Sequence, residues 1–341
     1  MALRAGLSLA LVAAILAGLL RDAGLSDVGD ALAAMTGIEL AGLVVVAAWN
    51  LTTYWLVMAC VLPGLGVWRA GLSTTTSTAI SNTLPGGAAF GLATNSAMYA
   101  SWGFAGPAIA RALVVSCVWN TFVKLGMPVV ALALLAFAGG ASAGLVTAAL
   151  AGVGVLVASV VVFALVLRRD ALARVVGSRL ATVTSWLAAL ARRKPVGDWG
   201  EGAVRFRQDT VGLLRTRWLP LTAFTLLSHI SLFLVLLVAL RDVGVSEDQV
   251  SWAEVLGAFS FVRLLTALPI TPGGVGVVEL GLTAALSVAG GDQAEVVAAV
   301  RVFRGLTYLL PVPFGVLTYV IWRRSVRRAT ARDQPLPPAP G

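Results

Sequence analysis

The sequence predicts an all-α, polytopic helical membrane protein, with six long spans plus two broken Pro-Gly-Gly hairpins arranged as an inverted repeat. Three observations lead there. The chain of 341 residues is 58% hydrophobic and only 12% charged, and its apolar residues gather in runs that match the roughly 20 needed to cross a bilayer as a helix. Two apolar segments are interrupted by the same tripeptide, in NTLPGGAAFG (82–91) and PITPGGVGVV (269–278). Basic and acidic residues also separate into different loops, as the sidedness of a membrane protein requires. The alternating ten-residue segments of a membrane barrel are absent.

The first run covers about 3–20. It reads as a retained helix, since no small-x-small cleavage site follows and further spans come after it. Asp22, Asp27, Asp30 and Glu39 make the next loop acidic. The second run, 40–62, closes at Pro63-Gly64, and Arg69 marks the following turn. The first hairpin, 70–102, opens with a segment in which nine of the eleven residues 73–83 are Ser, Thr or Asn. So polar a helix belongs inside protein or beside a wet cavity, not against lipid tails. Long runs follow at 107–138 and 145–167.

Residues 168–217 hold eleven Arg or Lys against four Asp or Glu, the composition of a basic, partly amphipathic connector at the membrane surface. A span at 219–240, the acidic loop RDVGVSEDQ, the second hairpin at 252–289 and a last span at 294–322 complete the membrane part. The basic, Pro-rich tail 323–341 reads as disordered. The N-terminal membrane half is thus 1–167 and the C-terminal half 218–322. Arg and Lys place the connector and the C-terminus in the cytoplasm. Counting crossings from there, the first hairpin enters from the cytoplasm and the second from outside, the signature of an inverted repeat with a site near the midplane.

Proline followed by two glycines ends one helix and permits a tight turn into the next. The new helix starts with free N–H groups and a partial positive charge, which suit an anion. Pro85, Gly86 and Gly87, with Asn82 beside them, and Pro272, Gly273, Gly274 and Gly276 are therefore candidate site residues. One such turn alone reads as a plain hairpin or as close packing through small residues; two in opposed orientation favour a site.

Ionisable groups at membrane depth usually have a partner or a role. Arg263 and Glu279 flank the second turn and are placed to pair across it, as a structural bridge or as a gate. Arg301 and Arg304 share one face of the last span. Arg304 lies about ten residues, or roughly 15 Å, from the outer end, level with the hairpin tip, whereas Arg301 either joins it or reaches the outer interface. Arg111 and Lys124 are expected to snorkel to opposite interfaces. His229 reads as a helix contact or a proton relay, and Asn120 as an interhelical donor. The surplus of positive charge suits a phosphate, which arginine binds through its planar fork.

Several function classes drop out. Cys60 and Cys117 form no disulfide framework, and the single histidine builds no metal site. No P-loop is present, no cofactor is implied, and no acid, base or nucleophile constellation suggests an enzyme. The net charge of +9 sits beside membrane segments, so the partner it implies is anionic lipid and not nucleic acid.

LPITPGGVGVVE together with AAVRVFRGLTYLLPVPFG resembles the C-terminal signature of the lysylphosphatidylglycerol synthase transmembrane (flippase-like) family, and SNTLPGGAAFGLA resembles its N-terminal one. The resemblance covers about 5–325 and implies a lipid-translocating membrane domain. In the best-known relatives it moves an aminoacylated phosphatidylglycerol and is followed by an aminoacyl-transferase domain; this chain is expected to be a stand-alone member without that domain. Carry-over concerns Pro85, Gly86, Gly87, Pro272, Gly273, Gly274, Gly276, Glu279 and Arg304. Only Glu279 suits a cationic headgroup.

The expected function is translocation of an anionic phospholipid or polyprenyl-phosphate, its headgroup held between the two hairpins. Two alternatives stand beside it: a secondary transporter of a small anion, and a non-transporting partner that presents lipid to a separate lipid-modifying enzyme docked on 168–217. Oligomeric state is left open by the sequence.

Overall fold

In a computed structural model of the chain, residues 33, 35–84, 86–137, 143–190, 194, 197–266 and 272–332 are described. Among them every regular element is helical. The expected first span, most of the acidic loop after it, Pro85, residues 267–271 of the second turn and the tail beyond 332 lie outside the described residues.

Helix α1 (Gly37–Val61) begins with a capping box: the Glu39 N–H donates to Thr36 Oγ1 at 3.4 Å, and the Thr36 N–H donates to the Glu39 carboxylate at 2.7 Å. These bonds satisfy two of the free donors at a helix start. Helices α2 (Val67–Thr83) and α3 (Gly87–Ser101) form the first hairpin. The long α4 (Gly106–Leu135), with proline in its first turn where no N–H is needed, leads to α5 (Ala143–Arg168). Helix α5 is apolar all round, with Val157 and Val162 more than half exposed, the surface expected of a helix facing lipid.

The described part of the connector is largely helical. Helix α6 (Asp170–Leu190) covers its first part, and its last part opens the 44-residue helix α7 (Gly200–Val243). Arg207 joins the corner, donating to the Leu167 and Arg168 carbonyls and to the Asp170 carboxylate at 2.5 Å. The Ser178 hydroxyl and the Gly200 N–H donate to Asp198 and hold its carboxyl below the usual range. The span expected at 219–240 is therefore the second half of one helix. Pro220 does not end it.

Helices α1 and α7 lie side by side and antiparallel. The Asn50 amide donates to the Ser228 carbonyl at 3.2 Å and to Ser231 Oγ at 2.9 Å. Toward one end Cys60 Sγ lies 3.8 Å from the Arg217 carbonyl; at the other, Glu39 and Asp242 come within electrostatic reach. The first hairpin is rooted at the Cys60 end, where Ala70 and Tyr99 pack with Val61, Leu62 and Leu65.

The second hairpin consists of α8 (Trp252–Leu265), a tight turn at Pro272–Gly274, and α9 (Val277–Val288). It is rooted at the opposite end of the seam, where Leu286 packs with Leu240, Val245 and Val250. Arg241 fixes that loop through the Val245 and Val250 carbonyls and the Glu247 carboxylate. The entering arm, expected to continue to 270, ends as a helix at Leu265. Its 14 residues rise about 21 Å, short of the roughly 30 Å hydrocarbon core.

The last expected span is also broken. Helix α10 (Gln293–Arg304) passes through a π turn, Gly305–Leu309, into α11 (Pro311–Arg332). Pro311 has no N–H, and its ring crowds the preceding turn. The backbone widens to accommodate it, and the Leu310 N–H reaches the Gly305 carbonyl at 2.8 Å, one residue further back than in an α-helix. Five helical segments of the described residues are long and apolar enough to cross a membrane: Gly37–Val61, Gly106–Leu135, Val146–Arg168, Gly200–Val243 and Gln293–Arg328.

Helix α11 packs along α2. Thr76 and Thr318 share a hydrogen bond of 2.8 Å, and a Cβ on Gly315 would stand 2.2 Å from the Ala79 Cβ and 2.7 Å from the Thr75 carbonyl oxygen. Gly315→Leu is expected to pry these helices apart and to cost about 1–3 kcal/mol. Thermal unfolding in detergent checks this, and an unchanged melting temperature refutes the close approach.

Candidate functional site

The polar helix of the first hairpin satisfies much of its own chemistry. Ser73 donates to the Ala70 carbonyl at 3.0 Å and Thr83 to the Ala79 carbonyl at 2.8 Å. Ser73, Thr74, Thr75 and Thr76 are all buried. Thr74, Thr75 and Thr78 line a cavity of about 270 Å³ between the two halves of the chain. Both readings of this segment hold: it is buried in protein, and part of it faces an internal space.

The opposite walls bring in the other half. Asn50 and Tyr54 come from α1, Asn120 from α4, Ser228 and His229 from α7, Arg263 from α8, and Thr307 from the π turn. The Asn120 amide donates to the Ser116 carbonyl at 3.1 Å and to Tyr54 Oη at 3.3 Å, fixing both side chains. His229 is 3% exposed. Its Nδ1 lies 3.0 Å from the Thr225 carbonyl, while Nε2 has no hydrogen-bond partner. Arg263 Nε is likewise shut from water and unpartnered. Among the described residues, the cavity lining therefore has one formal charge, a cation, and no carboxylate.

Beside the cavity the chain breaks meet. The Asn82 amide donates to the Tyr308 carbonyl at 3.0 Å, and the Tyr308 hydroxyl returns a bond to the Asn82 carbonyl at 2.6 Å. The Tyr308 ring lies against the second turn. A Cβ on Gly273 would stand 2.1 Å from ring carbon Cε2, and the φ of +57° at Gly273 also favours glycine. Arg304 stacks over the same ring at 4.2 Å from its centroid. Its Nε donates to Glu279 at 2.6 Å and its Nη2 to the Gly273 carbonyl at 3.2 Å. Glu279 also accepts from the Gly276 N–H at 2.8 Å, so its carboxylate supplies the anion at the start of α9.

This arrangement reassigns several residues. Arg263 and Glu279 were placed to pair across the second turn; instead Glu279 pairs with Arg304, because its position in the first turn of α9 points it back to the helix start and toward α10. Arg304 does stand at the second tip, as its depth predicts, but its fork is committed to protein groups. Arg301, one turn earlier, does not line the cavity. Gly86 is left-handed at φ +68°, and Gly87 opens α3 so close to α2 that a Cβ would meet the Ser81 carbonyl at 2.5 Å. Gly274 and Gly276 continue the second turn with positive φ. Pro85 lies outside the described residues, and Pro272 opens the tight turn. Arg111 faces Asp209 of α7 at 3.9 Å.

Sequence reasoning marked the 73–83 segment that holds Thr74, Thr75 and Thr78 but passed over Asn50, Tyr54 and Ser228. A signal was present: Asn50 with Tyr54, and Thr74 with Thr78, recur at helical spacing on one face of their segments. Only the fold shows that these faces converge.

The site and fold define a multi-pass helical membrane protein whose broken hairpins meet beside a polar cavity. Residues 5–315 match the family described as lysylphosphatidylglycerol synthase TM region, and the chain belongs to that family. No curated protein sequence matches it.

Because Arg304 is mostly buried and Glu279 is one-third exposed, the pair is screened less than a surface bridge and more than a buried one. A double-mutant cycle on Glu279→Ala and Arg304→Ala is expected to give a coupling of about 1–3 kcal/mol. Unfolding in detergent micelles measures it, and additive effects would show that the pair does not form.

Proposed function

We propose that this protein is a lipid translocase of the cell membrane. An anionic headgroup, from a phospholipid or a polyprenyl phosphate, enters the cavity between the hairpins and passes from one leaflet to the other while its tails remain in lipid. The single observation that carries this reading is Arg263, a cation with no hydrogen-bond partner at Nε, in the wall of a cavity lined by both halves of the chain. A cation at membrane depth is costly unless an anion or water compensates it. The family description, which names the membrane region of a lipid synthase, supports a lipid substrate.

In this reading the two halves form an inverted repeat, completed by the segment 3–20 as a sixth span. The rooting of the hairpins at opposite ends of the α1–α7 seam supports it, and so does the meeting of Asn82, Gly273 and Tyr308 between them. The connector and the C-terminus face the cytoplasm by the excess of basic residues. Translocation makes and breaks no covalent bond, so the protein acts as a carrier and not as an enzyme. Glu279 and Arg304 brace the second tip, and Arg263 holds the phosphate.

The test is lipid movement in reconstituted vesicles carrying a headgroup-labelled anionic lipid. The wild-type protein is expected to accelerate it, and Arg263→Gln to slow it at least tenfold while eluting like the wild type on size exclusion. Equal rates for the two proteins refute the assignment.

A further inference from the structure

We infer that α6 is a membrane-docking helix: its exposed apolar face lies in the surface of the adjacent leaflet and takes anionic phospholipid there, at a site separate from the cavity. The inference rests on the membrane class of the fold and is independent of what the cavity carries.

Helix α6 has three faces. Ala173, Gly177 and Ala181, four residues apart, are buried on the start of α7. The approach is so close that a Cβ on Gly177 would stand 2.6 Å from the Ala203 Cβ. A second face is polar and tied to the same helix: Ser178 donates to Asp198 at 2.8 Å and Arg174 to Glu201 at 2.9 Å. The third face carries Leu172, Val176, Val183 and Trp186, which share one side of a helix by their spacing. All four are exposed, Val183 by 54% and Trp186 by 61%. Arg179 falls in the same stripe and is exposed as well. An apolar face bearing a tryptophan, with an arginine whose stem can lie along it and whose head can reach the phosphates, is the pattern of a helix sunk about 5–10 Å into the interface. Among the described residues, α6 is not one of the helices long and apolar enough to cross a membrane.

The course of α7 brings that face to the membrane surface. Between Arg217 and Arg207 it meets the ends of three spans. The Arg217 carbonyl lies 3.8 Å from Cys60 Sγ, in the last turn of α1. Asp209 faces Arg111, near the start of α4, at 3.9 Å. Arg207 donates to the Leu167 and Arg168 carbonyls that end α5. Ten residues of helix rise about 15 Å, and neighbouring helix axes stand about 8–10 Å apart. This stretch therefore runs across the span ends and not straight away from them. Helix α6 starts at the same corner and runs back along α7, from Asp170 beside Arg207 to Ser178 beside Asp198. No residue in the most apolar stretch of α5 is buried, so α5 is at the edge of the bundle and α6 continues past it over lipid.

Charge selects the kind of lipid. Residues 168–217 carry eleven Arg or Lys against four Asp or Glu, and Arg168, Arg169 and Arg179 are exposed. That surplus attracts an anionic leaflet and repels a second copy of the same surface. Because α6 is packed on the start of α7, and Ser228 and His229 further along α7 line the cavity, the docked helix ties that cavity wall to one leaflet.

The experiment is a spin-label depth measurement on the full chain carrying Cys60→Ser and Cys117→Ser, in phosphatidylcholine nanodiscs with and without phosphatidylglycerol. Labels go singly on Val183→Cys, in the apolar stripe, and on Thr182→Cys, on the flank turned from it. Oxygen, which enters lipid, and a nickel chelate, which stays in water, report the surroundings of each. With phosphatidylglycerol present, the oxygen-to-nickel accessibility ratio at 183 is expected to exceed that at 182 by roughly threefold or more. Omitting phosphatidylglycerol should lower the ratio at 183, and so should Arg168→Gln, Arg169→Gln and Arg179→Gln together. If the triple variant does not elute like the wild type, the comparison of the two lipid compositions makes the same test. Equal ratios at 182 and 183 place the face in water and overturn the inference. A label at 183 closed to both reagents means that protein covers it, a second copy or a separate enzyme, and overturns it too. A high ratio that is the same in both lipid compositions overturns the assignment of anionic lipid.

Discussion

Backbone without a partner is the constraint around which this protein is built. The hydrocarbon core offers no water to an N–H or C=O that a broken helix leaves free. The chain is broken three times at depth: after α2, between α8 and α9, and at the π turn between α10 and α11. The breaks satisfy one another. Asn82, at the end of the first hairpin arm, takes the Tyr308 carbonyl of the π turn, and Tyr308 takes the Asn82 carbonyl in return. Arg304 takes the Gly273 carbonyl of the second turn, and Glu279 takes the Gly276 N–H. Each interruption would be costly alone, and together they form one hydrogen-bonded junction. Pro311 belongs to the same device, because the widened turn it forces is what presents Tyr308 to both hairpins.

The electrostatics follow from that junction. Glu279 serves the start of α9 and is thereby fixed where Arg304 reaches it. Arg304 in turn is occupied by the carboxylate, the Gly273 carbonyl and the Tyr308 ring. Among the described residues Glu279 is the carboxylate bonded at the tip, and Arg263 is left in the cavity wall. Pairing one arginine thus leaves the other in the cavity wall, where the proposed function gives it the ligand. A lone intramembrane cation is unfavourable for stability and useful for binding, and its place in the cavity wall is where such a residue has a reason to be.

Much of this could be read from the sequence, and the limits are physical. Composition and run length establish the helical membrane class, and the repeated Pro-Gly-Gly marks both hairpins, because glycine and proline act locally. The depth of Arg304 follows from helical rise alone. Partner choice does not. Whether Glu279 turns to Arg263 or to Arg304 depends on how α10 lies against α9, a tertiary fact with no local signature. The same holds for the cavity, whose Asn, Thr, Tyr and Ser residues are scattered from Asn50 to Thr307 and look in isolation like ordinary interhelical donors. The connector was legible as basic and amphipathic, but its continuity with α7 was not, since Pro220 reads as a break until packing holds the helix through it.

The distribution of apolar and polar contacts says which parts can exchange partners. The α1–α7 seam is buttressed by a large apolar cluster that includes Leu43, Leu236, Leu240 and Val300, and pulling it apart would expose that area to water or leave voids. The meeting of the hairpin tips is different in kind: two reciprocal hydrogen bonds, one ion pair and a cation–π contact. Polar contacts of this kind can be exchanged at modest cost, because each bond broken can be replaced by one to a ligand or to water. Motion under the proposed function is therefore located at the tips, with the seam as the fixed frame. A headgroup that binds Arg263 from one side and then trades places with the Asn82–Tyr308 contact has the chemistry needed to open the junction and none of the strength needed to disturb the frame.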